Sequence, residues 1–255
     1  PVRFRQIAIE ERDGVLNLLP TLPVGAPGTV GQRGRRKLRS FVIPHIPHDD
    51  VVLPEEIQGL RMFGSESDTE TVANVMADHL QAMRNKHAIT LEHLRMGALK
   101  GVILDADGSV LYNLFDEFQI TPAVFNFELN KKDTDVKKKC LDLKRYFELN
   151  LKGEYMTNVR MLVSSDFFDA LTGHPNVVKA YQWYQESLAL RIDQRSGFTF
   201  AGVTFEEYLG QASDMNGVVR RFIEPGEGQA FPEGTLDTFA TYFAPADFNE
   251  TVNTL

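Results

Sequence analysis

The sequence predicts an α+β fold in which helices and antiparallel strands are interleaved. Three observations carry that reading. The front is rich in proline and glycine with short apolar runs, the middle is one long amphipathic stretch without proline, and the back alternates short helical and strand-like patterns.

In the front segment, residues 1–61, prolines at 20, 23, 27, 44, 47 and 54 rule out a long helix. The runs "RFRQIAI" and "LRSFVI" read as two extended arms joined by the loop "GAPGTVGQRGRRKLR", which makes a long hairpin. Glycine recurs at Gly25, Gly28, Gly31 and Gly34, and Arg33, Arg35, Arg36, Lys37 and Arg39 crowd the returning arm. A hairpin alone is marginal in water and needs a surface to lie against.

The middle begins with Ser67-x-x-Glu70, a capping-box pattern, and then places Val72, Val75, Met76, Leu80, Met83, Leu91 and Leu94 at spacings of three and four. The spacing predicts one helix over 67–99, on the order of 45 Å long. Next, "GVILDADGSVLYN" folds back at Asp107-Gly108 as a hairpin. The stretch "DTDVKKKCLDLKRYFELNL" sets Val136, Cys140, Leu143 and Phe147 on one helical face. "VRMLV" reads as a short buried strand, and Ser165 or Asp166 as the cap of the helix "FFDALT". Pro175 opens another helix, "FTFAGVTFEEYLG" makes a hairpin, and "FATYFA" is a further strand.

Composition narrows the function classes. A chain of 255 residues with 43% hydrophobic and 24% charged residues can bury a sizeable core. The net charge of −8 opposes phosphate backbones at long range, so nucleic-acid binding would have to be local, at residues 33–39. The single cysteine, Cys140, excludes an intrachain disulfide and a cysteine-rich zinc site. No run approaches the roughly 20 apolar residues that span a bilayer, and no signal-peptide pattern opens the chain. Pro1 stands where an initiator Met would, and further segments are expected at both ends.

Candidate chemistry fails residue by residue. "DADGS" from Asp105 has its glycine at the fourth loop position instead of the sixth, so a turn explains it better than calcium. In "HIPHDD", extended backbone turns His45 and His48 to opposite sides, which spoils chelation. His79, His87 and His93 form no His-Glu-x-x-His pair. Cys140 follows three lysines that would activate a thiol, but its place on the apolar face makes it a small buried hydrophobe. The glycine-rich loop lacks the Gly-Lys-Ser/Thr ending of a phosphate loop, and its three triplets are too few for collagen. No nucleophile–base constellation appears, so no enzyme activity and no cofactor are expected.

Two long phrases carry a family resemblance. "APGTVGQRGRRKLRSFVIPHIPHDDVVLPEEIQG" before a long helix, and "EGQAFPEGTLDTFATYFAPADFNETVNTL" near the end, resemble the lambda-type major capsid proteins of tailed phages. The resemblance implies the phage Hong Kong 97-type shell fold. Residues 1–61 would form its extended E-loop hairpin. Residues 62–130 would form a peripheral domain with the spine helix 67–99 and a β-hairpin, and 131–255 the axial domain. It further implies an N-terminal arm before Pro1 and strands after Leu255 that complete the peripheral sheet.

A shell protein acts through its contacts. The resemblance implies hexamers and pentamers of the chain, scaffolding and decoration proteins as possible partners, enclosed double-stranded DNA without sequence-specific binding, and no membrane. The expected location is the virion, assembled in the host cytoplasm. Arg33, Arg35, Arg36, Lys37 and Arg39 are the expected subunit-interface residues, facing acidic surface on a neighbouring copy. The alternative is a phage-encoded nucleic-acid-binding protein using the loop 33–39.

Overall fold

The structure, a computed structural model, describes residues 5–12, 36–58, 71–151, 154–183, 194–214, 216–236 and 238–245. The chain divides into two compact units, one of residues 1–49 with 239–255 and one of residues 50–238. Both helices and several small sheets are present, a mixed α+β architecture.

In the first unit, β1 (Gln6–Arg12) pairs antiparallel with β2 (Arg36–Val42), giving the two extended arms expected from the apolar runs. The glycine-rich connection lies outside the described residues. Residues 239–244, expected as a strand, have no regular structure. A strand needs a neighbour to take its backbone N–H and C=O groups, and no described strand pairs with this run.

The second unit opens with a single 3-10 turn, Pro54–Glu56, and then α1 (Val72–Lys100). Thr71 caps α1, its hydroxyl accepting from the Asn74 N–H at 3.3 Å, while Ser67 and Glu70 lie outside the described residues. Gly101, left-handed at φ 85°, ends the helix. The apolar stripe expected along α1 is only half used. Met96 and Gly97 near its C-terminus are buried, while Val72, Met76 and Leu80 are each about half exposed.

The hairpin of β3 (Val102–Leu104) and β4 (Val110–Asn113) then folds back on α1, followed by the short α2 (Leu114–Phe118).

The main core lies under α3 (Val136–Asn150), α4 (Ser165–Thr172) and α5 (Pro175–Trp183). They cover one face of a four-stranded sheet of order β10-β5-β7-β6, from β5 (Asn158–Val163), β6 (Phe198–Phe200), β7 (Val203–Glu207) and β10 (Gly228–Glu233). A separate small hairpin joins β8 (Gln211–Ser213) to β9 (Val219–Arg221). Val136, Cys140 and Leu143 of α3 are buried, as their spacing predicts. The cap of α4 is Ser164 and neither Ser165 nor Asp166. The chain leaves β5 extended at Ser164, whose hydroxyl accepts from the Phe167 N–H at 3.4 Å and the Gly226 N–H at 2.9 Å. Ala201 and Gly202, both at positive φ, make the tight turn between β6 and β7.

β5 alternates half-buried and buried residues, with Val159, Met161 and Val163 in the core. Its neighbours fix which main-chain groups point where. Val163 C=O accepts from Tyr208 N–H toward β7, and Ser164 N–H donates to Glu227 C=O toward β10. Counting along the register, Gln229, Phe231 and Glu233 bond inward to β5. Gly228, Ala230 and Pro232 therefore turn their main-chain groups away from β5, where proline lacks no donor that β5 needs.

Phe205 is fully buried and its ring meets those of Phe127, Phe167 and Phe198. Phe205→Ala is expected to cost about 3–5 kcal/mol in urea unfolding, whereas Leu149→Ala on the exposed side of α3 should stay within about 0.5 kcal/mol. Equal losses at both positions would show that the burial pattern is wrong.

Candidate functional site

The basic cluster is where function was expected, and the structure describes part of it. Arg33 and Arg35 lie outside the described residues. Arg36, Lys37 and Arg39 fall on β2. The register sets Lys37 opposite Glu11 and Arg36 opposite Arg12. An acidic residue thus already stands across the ladder from Lys37. Leu38 is 67% exposed, and Val42 is exposed on the same side of the strand.

Other candidates resolve into structural roles. Among the described residues no group of three or more His, Cys, Asp or Glu side chains is placed to hold a metal ion. The would-be calcium loop at Asp105 is the turn between β3 and β4, where Asp107 accepts from the Ser109 N–H at 2.8 Å. Its carbonyls serve a side-chain cation instead. Arg220 donates to Ala106 O at 2.9 Å and to Asp107 O at 2.5 Å, and also bonds Asp214 at 3.1 Å. Burial pushes the Cys140 thiol up to about 12, so the adjacent lysines do not activate it.

His79 has a partner that sequence spacing does not reveal. Its Nδ1 lies 2.8 Å from Asp50 Oδ2 and its Nε2 4.0 Å from Glu56, which straps residues 50–56 along α1. The hydrogen bond from His79 holds the Asp50 carboxyl below its usual range. His93 packs a tilted ring against Phe222 at 5.4 Å, and its Nε2 is buried without a hydrogen-bond partner among the described residues. Tyr208 donates to Glu92, and burial raises its hydroxyl pKa.

On the outer face of the sheet, Arg160 joins three strands, bonding Glu206 at 2.6 Å and Glu233 at 2.5 Å. Ahead of α3, Glu128 pairs with Lys131 and with Lys139, the latter at 3.0 Å. These bonds, Lys131 first, lower the Glu128 carboxyl from 4.5 to about 2. What these groups can do is hold loops and strands together, since none converges on a pocket with a nucleophile.

The comparisons give the protein its relatives. All of residues 1–255 match the family described as Phage major capsid protein E. Over 97% of its length the chain is 33% identical to the major capsid protein of Pseudomonas phage KPP10, covering 75% of that protein. Over 76% of its length it is 30% identical to the major capsid protein of Salmonella phage Felix O1, covering 59% of that protein.

Two measurements check this subsection. Because the folded pKa of Glu128 is depressed, its ion pairs stabilise the fold above pH 4.5 and lose that contribution as pH falls toward about 2. Glu128→Gln should flatten the dependence of melting temperature on pH in that window, and an unchanged slope would remove the role. Cys140 should resist a thiol reagent at pH 8 until urea unfolds the chain, and immediate labelling would contradict its burial.

Proposed function

The chain belongs to the phage major capsid protein E family, and from that premise we propose that copies of it build the icosahedral head shell of a tailed phage or prophage around packaged double-stranded DNA. Its role is structural and not catalytic. The observation that supports this most directly is the family match along the whole chain, at one-third identity to a phage major capsid protein.

The finer reading is a Hong Kong 97-type shell fold. In it the β1–β2 arms belong to an E-loop over 1–61, α1 is the spine of a peripheral domain over 62–130, and the helix-covered sheet lies in an axial domain over 131–255. Among the described residues β1 and β2 pair only with each other, which favours this, because a two-stranded ribbon is marginal without a neighbour. Hexamers and pentamers of the chain, scaffolding and decoration proteins, and assembly in the host cytoplasm complete the picture.

Arg33, Arg35, Arg36, Lys37 and Arg39 are its interface residues, meeting acidic surface on the next copy. After Arg221 the chain carries Glu224, Glu227, Glu233, Asp237, Asp247 and Glu250 with no Lys or Arg. Each exposed pair contributes at most about 1 kcal/mol, but repetition around a closed ring accumulates. Reversing the charge at Arg35, Arg36 and Lys37 together is expected to impair assembly of the full-length protein. Electron microscopy and sedimentation read the result, and normal shells at normal yield would sink the assignment.

A further inference from the structure

We infer that the exposed lysines at the start of α3, Lys132, Lys137 and Lys138, form a contact for the phosphate backbone of double-stranded DNA, independent of base sequence. This rests on the shell reading above, which supplies the DNA, and it names a surface for that contact other than the hairpin cluster.

The charge of the chain is unevenly spread. Between residues 128 and 145 stand seven Lys or Arg against four Asp or Glu, a local +3 that leaves −11 on the rest of the chain. An island of one sign acts at close range on a polyanion that the remaining surface repels.

The island sits on a fixed platform. Glu128 holds Lys131 and Lys139 in ion pairs, the latter at 3.0 Å, and its carbonyl accepts from the Thr134 hydroxyl at 2.9 Å. The entry to α5 fastens the same turn. Buried His174 sets its Nε2 2.9 Å from the Lys131 carbonyl, and the Asn176 side-chain amide donates to the Thr134 carbonyl at 2.7 Å. Asp135 caps α3, its carboxylate accepting from the Lys138 N–H at 3.0 Å. Two lysines of the run 131–139 are thus paired within the chain. Lys132, Lys137 and Lys138 are exposed and have no ion pair among the described residues.

What the platform shows to solvent selects the partner. Thr134 and Val136 are buried, so every exposed side chain between residues 131 and 139 is Lys or Asp. The centre of a contact between protein copies is apolar and depleted in lysine, and this surface has the reverse composition. Lysine is a hydrated point charge on a flexible stem, which suits a row of phosphates, whereas the fork of arginine is the better grip on a single carboxylate. The run also lacks the Arg, Asn and Gln side chains that read base edges through paired hydrogen bonds. A duplex backbone, met by charge alone, is the partner that fits.

The test measures binding of purified full-length protein to a fluorescent duplex of about 30 base pairs, by anisotropy, at salt from about 50 to 200 mM. Three neutralised phosphates give a slope of log affinity on log salt of about −2.7, so affinity should fall about 40-fold over that range. Lys132→Gln, Lys137→Gln and Lys138→Gln together should remove most of that slope and lower affinity at the lowest salt about tenfold. Circular dichroism checks that the variant folds, and electron microscopy of the same preparations records shells. Wild-type binding that ignores salt, or a triple variant that binds DNA as wild type does, overturns the contact. Loss of shells with DNA binding unchanged would make this surface a contact between copies and also overturn it. If the lysines carry DNA binding while wild-type protein forms no shells, the shell reading fails and the phosphate contact stands.

Discussion

The larger unit depends on strand β5 being enclosed from both sides. Its inward side chains, Val159, Met161 and Val163, sit under the three helices in the main core. Its outward Leu162 packs with Met96, Phe222 and Ile223 in a smaller cluster that ties the C-terminal half of α1 to the same sheet. One strand thus couples two apolar clusters, and its main-chain groups are shared between β7 on one side and β10 on the other. The helices, the acidic turn before β10 and the end of α1 all take their positions from it. Removing that strand would leave α1 attached mainly through its own hairpin.

Where burial follows a local period, the residues alone anticipate the structure. The face of α3, the proline that opens α5 and the β6–β7 hairpin all follow from spacing within short windows. The long helix is also legible, because nothing breaks its run from Val72 to Lys100. The misses have a physical pattern. Ser164 rather than Ser165 caps α4, because the cap depends on where β5 stops, which a tertiary bond from Gly226 sets. The run 239–244 has strand-forming residues but no described partner strand.

The charged site shows the same division. Sequence marks Arg33 to Arg39 as a cluster by density alone, and only pairing reveals Glu11 across from Lys37. Arg160 with Glu206 and Glu233, Arg220 with Asp107, and His79 with Asp50 join residues 29 to 113 positions apart. No local pattern encodes such pairs, since each depends on which strands and loops the core brings together. The calcium question shows the benefit of having both views. Loop spacing argues against an ion, and the Arg220 guanidinium occupying the turn carbonyls explains why the loop is built as it is.

Pro232 has a consequence for life at high abundance. Where identical sheets crowd together, an open strand edge invites ladder-by-ladder growth into fibres. Pro232 is the buried residue of β10, and on the side of that strand away from β5 it offers a carbonyl and no donor, so another strand could not zip along that side in full. A single ring-closed residue thus helps divert the chain from the amyloid-like road that its own sheet would otherwise open.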